Sequence, residues 1–205
     1  MVGQGTPGWP GGLALVENEP VTELPHADLE LVELVESGET EAFTQLYREH
    51  SSRIYRYCFR ATASWSIAED LTAQVFLEAW RKRSTVVADP EAGLLPWLYG
   101  VALNVVRNQR RSEIRYQRFR DRLSERDRVP DFADEAVAHL DDERAMSVIL
   151  QQLQRLSEKD REILQLCVWA ELTADQAAVA LGISTGAART RLSRAKQALR
   201  EGVER

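Results

Sequence analysis

What most constrains this chain is a recurring set of helix-start signals with no convincing stretch of period-two alternation. Six residues suited to opening a helix, Thr40, Ser66, Pro96, Ser157, Thr173 and Ser184, each precede apolar residues at helical spacing. A Ser or Thr ahead of the first turn accepts hydrogen bonds from amides that have no partner within the helix. Ser66-Ile-Ala-Glu69 and Thr173-Ala-Asp-Gln176 have the spacing of capping boxes. Thr40 leads into Phe43, Leu46, Tyr47 and Ile54, and Ser157 into Ile163, Leu164 and Leu166. Pro96 suits a first helical position before Trp97, Val101, Ala102 and Val105. A half-buried strand needs alternating apolar and polar residues, and Val86-Val87 is too short to supply them. The fold class is all-α.

Punctuation divides the chain. Four of its seven prolines and five of its eleven glycines fall within the first 25 residues, so 1–27 reads as a flexible tail. A second break, the polar run around Pro130, reads as an acidic linker over 123–135. Two small helical domains remain, 28–122 and 136–205, a division that suits a length of 205 residues.

The net charge of −6 argues at first against nucleic acid, but the charges lie in blocks. Residues 1–47 hold nine acids and no Lys or Arg, whereas 79–122 hold ten basic groups against four acids. Residues 123–147 turn acidic again, and 148–205 carry nine basic groups against seven acids. No apolar run approaches the roughly 18 residues that span a bilayer, and no signal-peptide pattern opens the chain. A cytoplasmic protein without membrane insertion is expected. Cys58 and Cys167 match no metal spacing and read as buried thiols, while His26, His50 and His139 are isolated and read as surface residues. No phosphate-binding Gly loop, metal constellation or nucleophile–base spacing is present. Neither a catalytic site nor a cofactor is expected.

Thr173 to Arg200 has a helix-turn-helix pattern. A short Ala-rich helix runs to about Leu181, Gly182-Ile-Ser makes the turn, and a longer helix starts near Thr185. On that second helix Ala188, Leu192, Ala195 and Leu199 lie within about 60° of one another and form an inner stripe. Thr190 and Gln197 lie opposite, flanked by Arg189, Lys196 and Arg200 on one side and Arg191 and Arg194 on the other. There is no acid from Gln176 to Arg200. Arginine can grip phosphate or guanine bidentately, and Thr, Ser and Gln can hydrogen-bond base edges. The plainer alternative is a solvated face on an ordinary helical hairpin.

The helix from Pro96 is expected to run to about Arg122. Asn104, Asn108, Arg111, Arg115, Arg118 and Arg122 fall within about an 80° sector of it. Asparagines leading into an arginine ladder suit base-edge contact at one end and phosphate contact along the rest. Trp80, Trp97 and Tyr99 are near in sequence. An aromatic face can hold an unstacked base, and it can equally pack in a core.

These motifs resemble the sigma-70 family. Ala68-Glu-Asp-Leu-Thr-Ala-Gln-Val-Phe-Leu-Glu-Ala-Trp80 resembles its region 2.2, and Pro96-Trp-Leu-Tyr-Gly-Val-Ala-Leu-Asn-Val-Val-Arg-Asn108 its regions 2.3 and 2.4. Leu156 to Leu199 resembles region 4, and the length and missing regions match the extracytoplasmic-function (ECF) subgroup.

The resemblance implies a dissociable initiation subunit of RNA polymerase with no chemistry of its own. Region 2.2 would bind the clamp helices of the largest polymerase subunit with Asp70, Gln74, Phe76, Leu77 and Trp80. The minus-ten element would be melted and captured as single strand by Lys82, Arg83 and the loop to Leu95, with Trp97, Asn104, Asn108, Arg111 and Arg115. Duplex DNA at the minus-thirty-five element would meet Ser184, Thr185, Arg189, Thr190, Arg191, Ser193, Arg194 and Lys196. Region 4 would also dock on the flap of the second-largest subunit, and an anti-sigma factor is an implied regulator. The sequence departs from the family at Ala73-Gln74, where Gln-Glu is common, at Gln176-Ala177 for Glu-Ile, and at Ala187-Ala188 for Thr-Val. A promoter-binding regulator that never enters polymerase would leave the Ala68–Trp80 helix without a role; a small helical hydrolase is the remaining alternative.

Overall fold

The structure, a computed structural model, describes residues 27–86, 88–89, 92–122 and 137–203. The expected tail up to residue 26 and the expected linker over 123–135 lie outside the described residues. Eight α-helices make up the rest: α1 (Ala27–Ser37), α2 (Thr40–Thr62), α3 (Trp65–Arg81), α4 (Leu95–Arg122), α5 (Val137–Leu153), α6 (Glu158–Leu164), α7 (Ala174–Leu181) and α8 (Thr185–Val203). A 3-10 turn, Arg83–Thr85, follows α3, and a π turn, Gln165–Trp169, continues α6. No strand occurs among the described residues; Asp89 and Gly93 make only an isolated bridge ahead of α4. The all-α expectation holds.

Local chemistry explains most boundaries. Ser157 caps α6 by accepting from the Asp160 amide. At α7 the capping box is complete: the Gln176 amide donates to Thr173 Oγ1 at 3.2 Å, and the Thr173 amide donates to Gln176 Oε1 at 3.0 Å. Ser184 accepts from the Ala187 amide at the head of α8. At α3, however, the cap is Ser64, not Ser66. Ser64 is extended (φ −142°, ψ 124°) and accepts from Ile67, while Ser66 already lies in the first turn. Thr40 and Pro96 are likewise one residue inside the start expected of them: Glu39 is the N-cap of α2, and α4 begins at Leu95.

Left-handed residues set the turns. Gly38 (φ +90°) and Gly182 (φ +63°) each end a helix in a Schellman motif. The amide of Gly38 bonds to Val35 and that of Glu39 to Leu34; Gly182 and Ile183 repeat the pattern on Val179 and Ala178. Ala63 is left-handed too (φ 54°) and breaks α2 from α3, at a cost of about 1 kcal/mol for a residue with a Cβ. α1, which no cap signal announces, packs Leu31 and Val35 on Ala42 and Leu46 of α2.

The N-terminal module is α1–α4 and the C-terminal module α5–α8. They share one continuous apolar core, from Tyr57, Leu71 and Leu98 to Ile163, Leu166 and Ala177. Gly100 of α4 lies directly against Ala180 of α7. Cys58 is fully buried, and burial pushes its thiol up to about 12; Cys167 is only half-buried. Contrary to the surface position expected, His50 is buried. His26 and the side chain of His139 lie outside the described residues.

Candidate nucleic-acid interface

α8 presents a polar face because its inner stripe is narrow. Ala188 and Ala195 are fully buried, Leu192 is half-buried, and Leu199 departs from the expected stripe by standing 39% exposed at the helix end. Ser184, Arg189, Thr190, Ser193, Arg194 and Lys196 are exposed, with Thr185 and Arg191 half-buried beside them. The Thr190 hydroxyl donates to the Gly186 carbonyl one turn back at 2.9 Å and keeps lone pairs for a donor outside the helix.

Two of these arginines are already held. Arg189 pairs with Asp175 of α7, and Arg194 Nη2 donates to Asp160 Oδ1 of α6 at 3.1 Å. Asp160 also accepts from the Ser157 hydroxyl at 2.7 Å. Burial raises its pKa, but the Ser157 hydrogen bond and Arg194 outweigh that and hold the carboxyl below its ordinary range. Both acids precede the acid-free span in sequence; only the packing of α6 and α7 on α8 brings them to the reading helix.

On α4 the expected stripe is intact. Asn104, Asn108, Arg111, Arg115 and Arg118 are all exposed, and every described residue from Arg111 to Arg120 is exposed as well. The side chain of Arg122 lies outside the described residues. Upstream the helix is different: residues 95–106 are buried except Asn104, so this half is held on several sides and the other stands free.

Trp97 is 8% exposed and packs in the core rather than standing on the stripe. Arg83 is also engaged: its guanidinium lies 4.5 Å from the Trp80 ring centroid, and Nη1 donates to the Trp80 carbonyl at 2.9 Å. Lys82 beside it is exposed.

On α3, Asp70, Gln74 and Leu77 share one exposed face at offsets of four and seven residues. Phe76 points the other way, buried edge-on to Phe43 and Tyr47 at centroid distances of 6.4 and 4.7 Å. Trp80 is half-buried and edge-on to Phe43 at 5.1 Å. The α3 face borders a cleft lined by Tyr47, Ser51, Ser52 and Tyr55 of α2 with Glu69, Thr72 and Ala73 of α3. The contribution of α2 was missed in the sequence, where Tyr47 looks like part of the apolar pattern; in the fold it is 47% exposed. Among the described residues no cluster of three or more His, Cys, Asp or Glu could hold a metal ion. No helix among them is long and apolar enough to cross a membrane.

Two family models match the chain: Sigma-70 region 2 over residues 46–116, and Sigma-70, region 4 over residues 146–199. The ECF RNA polymerase sigma factor SigL of Mycobacterium tuberculosis is 32% identical over 168 residues, which are 80% of this chain and 90% of SigL. The RNA polymerase sigma factor CarQ of Myxococcus xanthus is 31% identical over 172 residues, 83% of this chain and 94% of CarQ. Among solved structures the fold is similar to CnrH in complex with the cytosolic domain of CnrY, with a TM-score of 0.62 and 22% identity over 87% of this chain and 97% of that one. It is also similar to RpoE in complex with the anti-sigma factor NepR from Bartonella quintana, with a TM-score of 0.56 and 22% identity over 80% of this chain and 98% of that one. The chain belongs to the extracytoplasmic-function sigma factors of the sigma-70 family.

Proposed function

We propose that this sigma factor binds core RNA polymerase through the exposed α3 face and adjoining cleft, reads the minus-thirty-five element with α8, and opens the minus-ten element along α4. Opening a duplex costs stacking and pairing energy, a few kcal/mol for each base taken out. Capturing the freed base and holding its backbone offsets that cost without nucleotide hydrolysis. The arginines would position the strand through phosphate, and Asn104 and Asn108 would read base edges. Phosphodiester chemistry would belong to the polymerase, so the factor works in the cytoplasm with no catalytic group or cofactor of its own.

The observation that carries this reading is the continuous Asn104-to-Arg118 stripe, exposed along its length, in the same chain as a capped helix-turn-helix. The buried Trp97 and tied Arg83 remove two groups from the minus-ten contact, which then rests on Lys82 and the stripe. CnrH and RpoE were each solved with a regulatory protein, and a corresponding anti-sigma partner is proposed for this chain. Run-off transcription from genomic promoter fragments, with purified core polymerase and this protein, tests the reading. Initiation at discrete sites is expected. Binding to DNA with no binding to core would leave a promoter-binding regulator instead.

A further inference from the structure

We propose that the α4 face bearing Gly100 and Arg107 is a docking surface for the chain's own C-terminal module, and that this contact holds the free factor in a form unable to span a promoter. The inference rests on the sigma-factor reading above and adds a closed state that polymerase must open.

The contact is built to a fixed registration. A Cβ on Gly100 would lie 2.9 Å from the Ala180 carbonyl oxygen and 3.3 Å from the Ala180 Cα, both backbone atoms that no rotamer change can move aside. Two turns on, Arg107 forks onto Glu162 of α6, donating from Nε and Nη2 at 2.5 and 2.6 Å. Glu162 is 3% exposed, so its charge depends on this partner. Around that centre, Arg60 donates to the Trp169 carbonyl at 2.9 Å, and the Trp65 amide donates to Glu143 at 2.8 Å. Gln176 Nε2 reaches Asp89 Oδ1 at 3.3 Å while its Oε1 completes the cap of α7. The glutamate common at this position in the family would set two carboxylates against each other here.

Geometry makes this form incompatible with a promoter. Asn104 is one turn from Gly100, about 6 Å along α4. Thr185 is five residues from Ala180, at most about 18 Å of chain. The beginnings of the two reading surfaces are therefore within roughly 30 Å of each other. Elements named minus ten and minus thirty-five are separated by about 25 base pairs, or about 85 Å at 3.4 Å per pair. The modules must part. The closed form also occupies a reading group, since Arg107 Nη1 donates to Asn104 Oδ1 at 3.2 Å.

Gly100→Ala is the discriminating variant. It adds a methyl that the contact cannot hold while favouring the helix by about 1 kcal/mol, so opening is separated from unfolding. Glu162→Gln, which keeps the shape and removes the charge, is the second. Small-angle scattering of the free full-length protein should show a larger radius of gyration for both variants than for the natural chain. Their melting temperature should hold. A closed fraction of nine in ten would lower apparent affinity about tenfold, so binding to core polymerase should tighten by up to about that factor. Equal scattering from natural and variant proteins, or an opened variant with unchanged core affinity, overturns the docking proposal. If the natural protein supports no transcription with core, the sigma-factor reading fails instead.

Discussion

Arg189 donates from both Nε and Nη2 to the two carboxylate oxygens of Asp175, at 3.1 and 2.8 Å, tying the reading helix to the helix before it. A guanidinium held along one edge still offers the other, Nη1 with Nη2, which is suited to a guanine or a phosphate. Arg189→Ala should weaken minus-thirty-five binding by about 1–3 kcal/mol and leave core affinity unchanged. Asp175→Asn should cost less, because the exposed pair itself is worth under about 1 kcal/mol. Fluorescence anisotropy on a promoter duplex, with core binding in parallel, checks both. Equal losses in the two assays would point to unfolding.

Arg194 should behave differently from Arg189. Its partner Asp160 is largely covered and also bonded to Ser157, so Arg194→Ala should lower the melting temperature as well as DNA binding. A variant that loses only DNA affinity would show the Asp160 contact to be idle.

The two asparagines of α4 should act after initial binding. Asn104→Ala with Asn108→Ala should impair strand opening, read by permanganate reactivity of unpaired thymines, more than it weakens the closed complex. Unchanged reactivity would remove both from the minus-ten contact.

Leu77 and Phe76 are adjacent in sequence and opposite in role. Leu77→Ala, at a side chain 49% exposed, should reduce core affinity with little change in stability. Phe76→Ala empties a site between Phe43 and Tyr47 and should cost about 3–5 kcal/mol of stability. Urea denaturation of each variant separates the two effects.

His50 should make the protein sensitive to mild acid. Burial lowers its pKa below 6.5, opposed by Glu49 and reinforced by Arg53. The folded state therefore binds fewer protons than the unfolded chain just below that value. This contribution is complete above pH 6.5 and is lost as pH falls through the depressed folded value, by at most about 1.4 kcal/mol per pH unit. Urea midpoints at pH 7.5 and 5.5 should differ for the natural protein and converge in His50→Leu.

Much of the fold was legible because its determinants are local. Ser157, Thr173, Gly182 and Ser184 act on amides and dihedrals within four residues of themselves, and the α4 stripe is a matter of offsets along one helix. Ser66 misleads because Ser64 offers the same chemistry two residues earlier, and only the left-handed Ala63 decides between them. The burial of Trp97 and His50 depends on neighbours far away in sequence. So does the Arg107–Glu162 fork, which joins residues 55 apart. No periodicity announces it. The acids that hold Arg189 and Arg194 were visible as residues, but their pairing was not.

The π turn at Gln165–Trp169 acts as a phase setter. A π turn holds one residue more than an α turn, and one residue is about 100° of rotation around a helix. It is followed by a left-handed Glu171 and then by the cap of α7, so the bearing of every later element depends on that extra residue. A chain shortened by one position here could keep every DNA-facing side chain of α8 and aim them all at the wrong part of the groove.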